Sequence, residues 1–165
     1  MRFYIKQKVF SFKDKFRIMD DSEKELYTVE GKFLSIQNKL ELLNSNGSQV
    51  LNAKKKLFRI FSTYEIFTPH GELVAEIKRK FSFRPKFEVN VQGEQLMVEG
   101  SLFAHSFGVF KDGQEAASIQ KKVISWGDTY EIFVDDNLNP ELYLFMVIII
   151  DQVIHEQKKT NGTNF

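Results

Sequence analysis

At 165 residues the chain suits a single domain, long enough to bury roughly 70% of its unfolded-chain surface. Lys and Arg number 23 against 22 Asp and Glu, so the net charge of +1 gives no overall attraction to nucleic acid, and no nucleic-acid partner is expected. The absence of Cys excludes disulfides, thiolate metal sites and a Cys nucleophile, while 17 Phe residues suit a large β core.

The first residues, Met1 to Lys8, contain no apolar stretch of the kind a signal peptide needs, so a cytoplasmic location is expected. Phe3 to Phe10 reads as a first strand, and Phe12, Phe16 and Ile18 carry a second. After the polar turn at Asp20-Asp21-Ser22-Glu23-Lys24, strands are expected from Leu26, at Lys32 to Ile36 and at Lys39 to Leu43. Asn44-Ser45-Asn46-Gly47 is a strong hairpin signal. Val50 to Ala53, Leu57 to Phe61 and Tyr64 to Phe67 continue the pattern, and Pro69-His70-Gly71 turns the chain. Leu73 to Phe83 reads as a long strand that ends at Arg84-Pro85, where the missing proline N–H argues for a boundary. Lys86 to Val91 and Leu96 to Glu99 form a hairpin about Gly93; Phe107 to Lys111, Ala116 to Ser125 and Thr129 to Val134 complete roughly a dozen strands.

Pro140 to Gln157 reads as the one long helix. Asn139 suits the N-cap, Pro140 the first helical position, and Glu141 places negative charge at the positive end of the dipole. No residue from Leu142 to Ile150 is charged, so this part is apolar around its whole circumference. The run is too short to span a bilayer, which takes about 20 apolar residues, and a buried core helix is expected. The domain is therefore placed at 1–157, with 158–165 as a polar, frayed tail.

The chain also repeats itself. Lys55 to Phe67 aligns without a gap on Lys121 to Phe133, with Thr-Tyr-Glu-Ile-Phe closing both copies, and the same offset sets Gly47 on Gly113. Upstream, Val29-Glu30-Gly31 matches Val98-Glu99-Gly100, and Phe12 to Phe16 matches Phe83 to Phe87. Two related β units followed by one apolar helix imply a pseudo-symmetric closed antiparallel barrel of about twelve strands with the helix inside it.

These residues resemble the LURP-one-related family, which belongs with the tubby C-terminal domain and the phospholipid scramblases. The best-matching stretch is Ala75 to Val89, supported by the Thr-Tyr-Glu-Ile-Phe repeats, the Tyr4 to Lys8 strand and the apolar helix; the similarity covers about Met1 to His155, in a length that suits a bacterial member. The resemblance implies a barrel around a central C-terminal helix. Tubby-type relatives bind phosphoinositides through basic residues on adjacent strands, but those residues have no position-by-position counterpart here, and none is carried over. Scramblases act at membranes and carry palmitoylated cysteines, a pattern from which a chain without Cys departs.

Among candidate sites, the cluster Lys78, Arg79, Lys80, Arg84 and Lys86 is the most suggestive. Strand alternation sends Lys78, Lys80 and Arg84 to one face and Ile77, Phe81 and Phe83 to the other, while Arg79 falls on the apolar side. Lys78, Lys80, Arg84 and Lys86 are the candidate ligands for an anionic headgroup, with Lys54 to Lys56 or Lys121 and Lys122 as neighbours. The same residues also satisfy the ordinary need for a polar outer face on an antiparallel strand. Asp151 and His155 lie four apart on the helix, where a carboxylate can orient an imidazole or simply accompany a late-helix histidine. His70 and His105 lie in loop-like sequence, Trp126 reads as a core or rim filler, and no nucleophile elbow, phosphate loop, metal set or cofactor motif is present. No catalytic residue and no cofactor is expected.

The reading is a non-enzymatic binding or scaffold module, peripheral to a membrane if it binds anionic phospholipid through the basic wall. A protein-interaction module using the loops at a barrel mouth is the alternative, and a scramblase-like membrane role a weaker one.

Overall fold

The computed structural model describes residues 1–6, 15–31, 39–56, 63–80, 82, 86–124 and 127–162. Strands β1 (Arg2–Lys6), β2 (Lys15–Met19), β3 (Glu25–Gly31), β4 (Lys39–Asn44), β5 (Gln49–Lys56) and β6 (Thr63–Phe67) make one half. Strands β7 (Leu73–Lys80), β8 (Lys86–Val91), β9 (Glu94–Ser101), β10 (Ser106–Lys111), β11 (Gln114–Ile124) and β12 (Gly127–Val134) make the other, followed by helix α1 (Pro140–Gly162). A short 3-10 turn, Leu102–Ala104, links β9 to β10. The twelve-strand closed antiparallel barrel expected from the sequence is the architecture found: each strand pairs with its chain neighbours, and β1 closes the ring on β12.

The repeat has a direct structural counterpart. Lys55 lies opposite Tyr64 and Lys56 opposite Thr63, while Lys121 lies opposite Tyr130 and Lys122 opposite Thr129. The hairpins β5–β6 and β11–β12 are thus the same unit in the same register, at the ends of the two halves. Gly31 and Gly100 also correspond. A Cβ on Gly31 would lie 2.2 Å from the Lys39 carbonyl oxygen, and one on Gly100 2.7 Å from the Ser106 carbonyl oxygen, so both copies keep glycine because the adjacent strand passes too close for a side chain.

Alternation places one face of every strand against the helix. Ile18, Val29, Leu42, Ile66, Ile77, Val89, Val109, Ile132 and Val134 are wholly buried, and they surround Leu144 to Val147, Ile149 and Ile150, which are buried as completely. A helix without a polar side is stable here because it has barrel wall on every side. Beside it, the cavity bounded by Ile5, Ile119, Tyr130, Ile148 and Asp151 measures only about 10 Å³, too little for more than a single water.

The helix starts as its sequence indicates, the Asn139 Oδ1 accepting from Leu142 N at 2.9 Å. At its first turn the Tyr27 hydroxyl donates to Glu141 Oε1 at 2.9 Å, and burial together with this carboxylate pushes the Tyr27 pKa up to about 12. The helix continues to Gly162, beyond the Gln157 end expected from the sequence. Gln157, Lys158 and Lys159 are good helix formers, and no breaker intervenes before Gly162. Among the described residues, no helix is long and apolar enough to cross a membrane.

Candidate functional site

An up-and-down meander sends alternate connections to opposite ends of the barrel. The turns at 20–24, 45–48, 68–72, 92–93 and 112–113 lie at one end, with the segment 135–139 that leads into α1. Residues 102–105 lie at the other end with the strand ends Lys6, Gly31, Lys56, Lys80 and Ile124, and α1 runs toward it. Charge follows this division. Lys15, Lys39, Lys56, Lys80 and Lys86 occupy strand termini at that second end, whereas Asp20, Asp21, Glu72, Asp112, Asp135 and Asp136 outnumber Lys24 and Lys111 about the turns at the first. The basic rim is not free of acids: Lys15 Nζ takes Glu30 at 2.6 Å, Lys56 pairs with Glu65, Lys80 with Glu88, and Lys6 Nζ lies 2.7 Å from Glu23. A net charge near zero therefore conceals a molecule with a basic mouth and an acidic one.

The candidate residues Lys78, Lys80 and Lys86 stand on this rim. Lys78 and Lys80 project outward from β7, as alternation requires, and Lys86 opens β8 directly opposite Lys80. Lys78 Nζ lies 2.8 Å from Glu76 Oε1, and Lys80 is ion-paired with Glu88. The Lys78 ammonium holds the Glu76 carboxyl below its usual range, with Lys56 3.5 Å away adding to the effect, and Lys80 does the same for Glu88. Lys56 is paired with Glu65 as well, so it belongs to the same outer network. Lys54 lies over the Phe67 ring at 5.3 Å. Lys121 and Lys122 are on β11, four strands from β7, so of the two expected neighbouring groups only Lys54 to Lys56 adjoins the cluster. Arg84 and Trp126 lie outside the described residues, as do the expected strands at Lys32 to Ile36 and Leu57 to Phe61.

Arg79 does turn toward the barrel interior. It shares its face with Ala75 and Ile77, both buried, and it lies opposite the buried Phe87. On the same face, Lys55 and Tyr64 are cross-strand partners, with the Lys55 ammonium 5.7 Å from the Tyr64 ring centroid.

One buried polar pair escapes a sequence reading. His105, in the bend after the 3-10 turn, places Nδ1 2.6 Å from Asp151 Oδ1, both side chains being almost fully buried. The Tyr130 ring meets the His105 ring edge-on, with centroids 5.9 Å apart. Asp151 thus reaches across to the barrel wall; the side chain of His155, its partner by helical spacing, lies outside the described residues. The one available signal was the charge itself, since an acid directly after nine uncharged helical residues needs a buried partner. A shallow groove of about 230 Å³ opens at the acidic end between the β10–β11 hairpin and the segment leading into α1, lined by Asp112, Glu115, Asp135 and Asn137 among others.

Comparison with known proteins agrees with this architecture. The family model described as LURP-one-related matches residues 1–151. An uncharacterized protein of Bacillus subtilis, YxjI, is 31% identical over 155 residues, covering 94% of both chains. The X-ray structure of a protein from Arabidopsis thaliana superposes with a TM-score of 0.68 at 20% identity, over 92% of this chain and 90% of that one, a likeness of fold. With the model matching residues 1–151 and the bacterial relative aligned along nearly its whole length, the chain belongs to the LURP-one-related family.

Proposed function

We propose that the chain is a non-enzymatic binding module that docks its basic mouth on anionic phospholipid headgroups, through Lys78, Lys80 and Lys86 and with Arg84 from the adjoining connection. The observation that carries this reading is the segregation of strand-end lysines to one rim. A flat anionic surface meets such a rim with many cations at once, each contributing about 1 kcal/mol near the membrane. The ion pairs already on the wall oppose this only weakly, because exposed pairs of this kind contribute about 0–1 kcal/mol and a lipid phosphate can replace Glu76 or Glu88 as partner. The family assignment accords with a binding module. The groove at the acidic end supports the second reading, a protein partner held at that mouth.

Sedimentation with vesicles separates the two. The wild-type protein is expected to pellet with phosphatidylcholine vesicles containing phosphatidylserine, to stay in the supernatant with phosphatidylcholine alone, and to be released by salt. Combined Lys78→Glu, Lys80→Glu and Lys86→Glu substitution is expected to abolish pelleting. If the wild type ignores anionic vesicles altogether, the lipid reading fails and the acidic groove becomes the surface to pursue.

A further inference from the structure

We draw no further inference here: the strongest candidate, the groove between the β10–β11 hairpin and the segment leading into α1, rests on the acidic cluster of Asp112, Glu115 and Asp135 alone, and nothing in the structure shows what covers it.

Discussion

Replacing Asp151 with alanine tests whether the buried polar contact pins the helix within the barrel. The carboxylate and the His105 ring lie 2.6 Å apart with side-chain exposures of 5% and 7%, so neither group has water to replace its partner. Removing the carboxylate takes the acceptor from His105 Nδ1 in a dry site, at a cost of about 1–3 kcal/mol. Asp151→Asn keeps an acceptor at the same place and loses only the charge assistance, about 1 kcal/mol. His105 sits at a φ of 54°, where asparagine is tolerated better than alanine, so His105→Asn is the partner substitution that adds least backbone strain. Urea unfolding of the wild type, Asp151→Ala, His105→Asn and the double variant closes a cycle, with an expected coupling of about 1–3 kcal/mol. A cost below about 1 kcal/mol for Asp151→Ala, or a coupling near zero, would refute the idea that the contact holds the helix in place.

Two further expectations follow from the fold. Gly100→Ala would set a methyl group 2.7 Å from the Ser106 carbonyl oxygen and 2.8 Å from the Phe107 Cα, and Gly31→Ala one still closer to Lys39, so each is expected to destabilise by about 1–3 kcal/mol in urea unfolding; a cost below 0.5 kcal/mol at both sites, roughly the scatter of a neutral surface change, would mean that the strands part freely there. Tyr27 is raised to about 12 in the folded chain, so between its ordinary value near 10 and that pH the folded state holds a proton the unfolded state has lost, and stability falls as pH rises through this window. Tyr27→Phe is expected to flatten that part of the pH–stability profile, and an unchanged slope would show that the Glu141 contact does not set it.

Much of this architecture was legible because it is written in local patterns. Uncharged residues from Leu142 to Ile150 specified a helix with no solvent side, and Asn139 before Pro140 marked where it begins. The paired copies of Thr-Tyr-Glu-Ile-Phe indicated two equivalent β units, which the matching registers of Lys55 with Tyr64 and Lys121 with Tyr130 bear out. Alternation also turned Arg79 inward and Lys78 and Lys80 outward. The His105–Asp151 contact was not legible because helical spacing offered Asp151 a nearer candidate in His155, while His105 is brought close only when the barrel wraps the helix. The polarity of charge was hidden for a different reason. Acidic and basic residues are interleaved along the chain, and they separate only when alternate turns are assigned to opposite ends.

The position of α1 in the chain sets the order in which the interior can be completed. All twelve strands precede it, and β1 has its second neighbour only once β12 exists. Until α1 follows, the inward faces of Val29, Ile77 and Ile132 have nothing to cover them, so a nascent or truncated chain ending before Pro140 is an apolar trough with an open centre. Such a chain is a natural client for chaperones and a poor design for expression, and a fusion or a deletion must leave α1 intact at least through Ile154 for the remaining strands to have anything to fold around.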